Sequence, residues 1–205
     1  MPIAQEVDQV APGMFLWHVY DNKVKADLFS TGLKTPAGTY LIDPIPLAPA
    51  AQTALRTQGK ISGIFVTNVN HARAADQFAG SFAVPIFVHT ELVGTGDFPN
   101  ATAVPDDKTV SEGLTAIGID GAPAGEMALH CDQGSGTIVL GDALINFEPH
   151  GFGVLPAKYC LDARRMRRSL KKLLDHKFER MFFAHGTPIL SGARARLEQL
   201  LTETS

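Results

Sequence analysis

Apolar residues recur along this chain with two periods. Residues 14–20, 27–34 and 39–42 are short aromatic and β-branched runs, the pattern of partly buried strands, and Pro36, Ala37 and Gly38 supply a turn between the last two. Asp43 and Pro44 then stop the sheet, since proline has no N–H to give a ladder. Residues 48–58 read as a helix closed by Gly59, and 61–67 as a strand. A short helix over 73–79 precedes Gly80, and a strand over 84–89 starts beside Pro85. Residues 94–113, rich in Gly, Pro, Asp and Thr, read as a surface loop.

Strands are expected at 114–119, 126–131 and 137–140, the last two joined by a hairpin over 132–136. Residues 146–158, with two glycines and two prolines, carry no regular pattern. Asp162 caps a helix whose Met166, Leu170, Leu173 and Leu174 share one face. A strand over 180–184 ends at His185, and Ser191 caps a final helix with Leu197, Leu200 and Leu201 inward. The strand-only runs need antiparallel pairing, and the helices need a sheet face to cover. The expected class is α/β (α+β): an αββα four-layer sandwich formed by one domain over 1–205, in preference to a doubly wound parallel sheet.

Composition narrows the function classes. The 205 residues are 45% hydrophobic and 19% charged, as in a globular chain, with a net charge of −3. That balance gives no reason to expect nucleic acid or an anionic membrane as partner. No apolar run reaches the roughly 20 residues of a membrane span, and the first residues lack the basic and apolar regions of a secretory signal. Two isolated cysteines, Cys131 and Cys160, suggest neither a disulfide framework nor a cysteine-rich zinc site. A cytoplasmic protein acting on a small molecule is expected, with homo-oligomer formation left open.

Candidate chemistry collects where strands end. Residues 68–73 follow one strand as Asn-Val-Asn-His-Ala-Arg, Asp142 follows another, His185 a third, and Glu126 stands at the start of a fourth. Polar groups on loops fixed by strand ends are a common way to build a site. Lys158 and His150 lie in the irregular segment near them. His18 reads as a sheet-surface residue, His130 and His176 as surface positions, and the basic run 164–172 as a solvated helix face.

These segments together resemble the metallo-β-lactamase fold superfamily over nearly the whole chain. Leu41-Ile42-Asp43 is similar to that family's Leu-Ile-Asp segment, Gly141-Asp142-Ala143-Leu144 to its Gly-Asp-x-Leu, and Ala184-His185-Gly186 to its closing Gly-His-Gly. Residues 66–75 lie where the family carries Thr-His-x-His-x-Asp-His. The resemblance implies the αββα fold and a dizinc hydrolase site. It also shows what is replaced: Asn68 and Asn70 stand at the first two histidine positions, Ala72 at the aspartate, Arg73 at the next histidine, and Glu126 at a third zinc histidine.

Asn is a poor zinc ligand and Arg opposes a dication, so a two-zinc site is not expected. The reading favours a metal-free pocket with no cofactor. Asp142, His185 and Arg73 are the candidate catalytic residues, and Asn68, Asn70, His71, Glu126 and Lys158 the candidate ligand-binding ones. In the aligned register His71 is an intervening residue, directed away from the ligand positions, although it is counted with Asp142, His185 and Glu126 as a possible donor to a single ion. Arg73 is expected to pair with Asp142 or Glu126 and to hold a small anion. The alternative is a divergent hydrolase of a small ester, thioester or lactone. It would use the Arg73/Asp142/His185 constellation or a single zinc or other divalent ion on Asp142, His185 and Glu126.

Overall fold

The computed structural model describes residues 1–147 and 151–203. Seven strands form the first sheet in chain order: β1 (Asp8–Ala11), β2 (Met14–Asp21), β3 (Ala26–Thr35), β4 (Gly38–Ile42), β5 (Ile61–Val66), β6 (Ile86–His89) and β7 (Thr102–Val104). β1 to β4 pair antiparallel, and β4 to β7 pair parallel. The second sheet runs β14 (Arg180–Phe183), β11 (Thr137–Leu140), β10 (Met127–Cys131), β9 (Leu114–Gly118) and β8 (Lys108–Ser111). A separate hairpin joins β12 (Leu144–Phe147) to β13 (Gly151–Val154).

Strands buried on both faces explain the layering. In β5, Ile64 and Val66 face α1 (Pro49–Thr57) and α2 (Ala75–Phe82), while Phe65 faces the other sheet. β11 repeats this with Ile138 and Leu140 against α3 (Ala163–Leu170) and α4 (Ala193–Glu203), and Val139 between the sheets. Three apolar clusters result: helix on sheet, sheet on sheet, and sheet on helix. This is the αββα sandwich expected. Phe65, fully buried between the sheets, would cost about 3–5 kcal/mol if cut to alanine.

The differences from the sequence reading are local. The Asp8–Ala11 strand was not expected. The 94–113 stretch holds β7 and β8, and the irregular 146–158 stretch holds the end of β12 and all of β13. These strands have three or four residues, too few to show a period. α2 starts two residues late and runs through Gly80, stopping where Ala83 turns left-handed at φ +54. His130 is buried, with Nε2 3.0 Å from the Lys177 carbonyl, where a surface position was expected.

Parallel pairing places the functional ends together. β4 and β5 are parallel neighbours, so Asp43 and Thr67 emerge side by side. β11 and β14 are parallel neighbours in the other sheet, so Asp142 and His185 do the same. A bond from Phe29 N–H to the Ala184 carbonyl (2.9 Å) ties the sheets at this edge.

Candidate functional site

Asp43 organises the floor. Its backbone is left-handed at φ +48, a conformation costly for most residues and tolerated by aspartate. One carboxylate oxygen accepts the Thr67 N–H (2.8 Å), and the other accepts the Thr67 hydroxyl (2.5 Å) and meets His71 Nδ1 (2.8 Å). Burial favours the neutral form of Asp43, but His71, Arg73 and these bonds outweigh it and hold the carboxyl below its ordinary range. Sequence reading placed Asp43 at the stop of a sheet and in a family-like Leu-Ile-Asp segment, but gave it no part in the site. A polar residue directly after a fully apolar strand was the signal available.

His71 is the second departure from expectation. It is buried and turned into the site: Nε2 lies 3.2 Å from Asp142 Oδ1 while Nδ1 meets Asp43. Both ring nitrogens face acceptors, which suits an imidazolium. Burial alone would lower its pKa, but Asp142 and Asp43 raise it to about 9. The His185 ring lies 5.7 Å from the His71 ring, with Nε2 3.3 Å from the same Asp142 oxygen and Nδ1 3.3 Å from the Asp27 carbonyl. Burial and the His71 charge bring His185 down to about 4, so it is neutral at pH 7. Burial pushes Asp142 up, yet His71 and His185 hold it below the usual carboxylate range.

Asn68 and Glu126 form the back wall. The Asn68 amide donates to Glu126 Oε2 (2.7 Å) and Asp142 Oδ2 (3.1 Å), and Glu126 Oε1 accepts the Ala143 N–H (3.0 Å). Burial and the Asp142 charge push Glu126 up to about 8. This corner needs Gly141: a Cβ there would lie 2.9 Å from Glu126 Oε2 and 3.0 Å from Asn68 Nδ2. Asn70 donates its backbone N–H to Asn68 Oδ1 (2.8 Å) and lines the cleft.

Arg73, also left-handed at φ +40, does not make the carboxylate pair expected of it. Its NH1 donates to the carbonyls of Phe29 (2.7 Å) and Asp43 (3.1 Å), and NH2 reaches that of Ala184 (3.5 Å). Burial draws its pKa below the ordinary value, while Asp43 and Asp142 favour its charge. Arg73 therefore clamps three strand-end carbonyls and acts on the carboxylates through space.

Above this floor opens a cleft of about 1170 Å³. Leu28, Ile145 and Val154 wall it, Val24 and Tyr159 stand exposed at its rim, and Lys23 and Lys158 line it. Lys158 lies 4.7 Å from the Tyr159 ring centre, within cation–π range. The structure thus brings Asn70, His71, Arg73, Asp142, His185 and Lys158 to one cleft, and buries Asn68 and Glu126 behind it. His89 lines a smaller cavity of about 130 Å³ and meets Asp106 (2.9 Å). His150 lies outside the described residues. Among these, His71, Asp142 and His185 are the group with metal-ligating atoms close together, all within 4.8 Å.

The dizinc arrangement that the resemblance implies does not fit this floor. Asn68 presents amide hydrogens, not a lone pair, to the carboxylates, and Arg73 holds a fixed positive charge beside them. The scaffold nonetheless matches. In solved structures the fold recurs in DIM-1 metallo-beta-lactamase, at 12% identity and TM-score 0.75, covering 100% of this chain and 99% of that one. A metallo-beta-lactamase family protein from Thermus thermophilus is 19% identical at TM-score 0.67, covering 95% and 80%. An archaeal metallo-beta-lactamase superfamily protein from Sulfolobus tokodaii is 15% identical at TM-score 0.65, covering 86% and 79%. No curated protein matches by sequence. The family model described as metallo-beta-lactamase superfamily matches residues 8–204, and the chain belongs to that superfamily.

Proposed function

We propose that this protein binds a small organic molecule with an apolar body and an acidic group in the cleft above Asp142. The observation that carries the reading is the cleft itself, in which apolar walls meet a polar floor with cations beside them. Leu28, Ile145 and Val154 favour an aliphatic or aromatic body, each buried methylene contributing about 0.8 kcal/mol. Lys23 and Lys158 supply charge for a carboxylate or phosphate, and Arg73 adds a positive field from below. Residue types of this kind, few and placed at the ends of an apolar cavity, are what set ligand orientation.

A second reading is hydrolysis of a small ester, thioester or lactone, favoured by one geometric fact. His71 and His185 both direct Nε2 at one oxygen of Asp142, at the floor of the cleft. A reacting carbonyl seated there would meet general acid–base groups at once.

A thermal-shift screen of small carboxylates, phosphates and their esters tests the binding reading. Gly153 lines the cleft, and a Cβ there meets nothing within 4 Å, so Gly153→Phe fills the cleft without a clash at its base. The reading expects hits that shift the melting temperature of the wild type, shift Lys158→Ala less, and leave Gly153→Phe unmoved. Hits that stabilise Gly153→Phe equally would refute it. Turnover of any ester, thioester or lactone hit, lost in Asp142→Asn, would promote the second reading.

A further inference from the structure

We infer that His71, Asp142 and His185 form a site for a single transition-metal dication, with His71 as a ligand from a position the superfamily motif leaves unassigned. The inference shares the cleft floor with the reading above but does not depend on which organic molecule enters the cleft.

The geometry is that of ligands around a shared point. Asp142 Oδ1 lies 3.2 Å from His71 Nε2 and 3.3 Å from His185 Nε2, and all three atoms fall within 4.8 Å of one another. Charge-assisted N–H···O bonds are about 2.7–2.9 Å long. Ligand atoms on a tetrahedral zinc at about 2.0–2.1 Å stand roughly 3.3 Å apart, which is the spacing of the two histidine–Asp142 pairs.

Each donor is also held from behind. His71 Nδ1 meets Asp43 (2.8 Å), His185 Nδ1 meets the Asp27 carbonyl (3.3 Å), and Asp142 Oδ2 accepts from Asn68 (3.1 Å). A carboxylate or backbone carbonyl on the far nitrogen is the usual support of a metal-bound imidazole. With both Nδ1 atoms turned to carbonyl or carboxylate oxygens, both Nε2 atoms are left facing one Asp142 oxygen, the arrangement that a shared cation requires.

The neighbours do not complete a second metal position. The Glu126 oxygens accept from Asn68 and the Ala143 N–H, and Glu126 does not fall in the close group of His71, Asp142 and His185, so the inferred site leaves it out. Arg73 gives NH1 to the carbonyls of Phe29 and Asp43, and its charge beside the three donors leaves room for one dication rather than two. Two imidazoles and one carboxylate suit zinc, cobalt, iron or nickel better than magnesium or calcium.

The full chain, stripped with dipicolinate and dialysed against Zn²⁺ or Co²⁺, tests this by elemental analysis. One equivalent per chain is expected. His71→Ala, Asp142→Ala and His185→Ala should each weaken binding by about 100-fold or more, and the positioning variant Asp43→Asn by about 10–100-fold. Glu126→Gln should retain one equivalent. X-ray absorption of the wild-type zinc protein, which needs no variant to fold, should count two imidazoles. Less than about a tenth of an equivalent bound, one imidazole or none in the absorption spectrum, or full binding by folded His71→Ala would each overturn the inference. Organic-ligand shifts that persist in the stripped protein alongside such a failure would leave the binding reading standing.

Discussion

The first sheet and its loops bring Asp43, Asn68, His71 and Arg73 to the floor; the second brings Glu126, Asp142 and His185. Asp43, Arg73 and Asn68 are spent on neighbours: Asp43 on Thr67 and His71, Arg73 on three carbonyls, Asn68 on two carboxylates. Asp142 and His185 face the cleft, and His71 bridges the two groups. The metal-motif positions of the first half are thus replaced by an internal network, while in the second half Asp142 and His185 keep their motif identity and face the cleft, and Glu126, a replacement, is buried behind them. Buried polar groups of the first kind carry stability, because removing one partner leaves the other charge unpaired in a poorly solvated place.

Stability should therefore divide along the same line. Asp43→Ala strands a buried imidazolium and the Thr67 N–H, and should cost about 3–5 kcal/mol in urea denaturation. Asp142→Ala also takes a partner from the His71 imidazolium, but at the cleft, where its side chain is 12% exposed against 2% for Asp43 and water can replace it, so it should cost less, about 1–3 kcal/mol. The comparison breaks if the order is reversed. Arg73→Ala frees three carbonyls and keeps the left-handed strain, for an expected loss of about 2–4 kcal/mol. Arg73→Gly loses the same bonds but tolerates φ +40, so it should be about 1 kcal/mol more stable than Arg73→Ala. Gly141→Ala, which crowds Glu126 and Asn68, should cost about 1–3 kcal/mol by the same measurement. Lys158→Ala should change stability by less than about 0.5 kcal/mol, since that side chain is exposed, while weakening any acidic ligand.

How far the sequence could be read follows from the same physics. Strands such as Met14–Asp21 and Ile61–Val66 were legible because burial on one or both faces leaves an apolar pattern over six or more residues. The β12–β13 hairpin was not, because two glycines and a four-residue length erase any period. Asp142, His185 and Asn68 could be singled out because polar residues after apolar strands stand out. Asp43 has that signature too, but Pro44 beside it gave a sufficient reason for the strand to stop. His71 was placed facing away because motif spacing says which residues follow a strand, not how a loop turns. Its orientation comes from pairing with Asp43, twenty-eight positions earlier. The Arg73 clamp was likewise invisible, since its partners are backbone carbonyls that carry no sequence signal.

The central claim is that His71 is built into the floor by Asp43. A double-mutant cycle over Asp43→Asn and His71→Gln, read by urea denaturation with chelator present, tests it most directly. A buried pair 2.8 Å apart should give a coupling energy of about 2 kcal/mol or more. Additive losses, within about 0.5 kcal/mol, would mean that the two side chains do not hold each other and that the floor is not organised around Asp43.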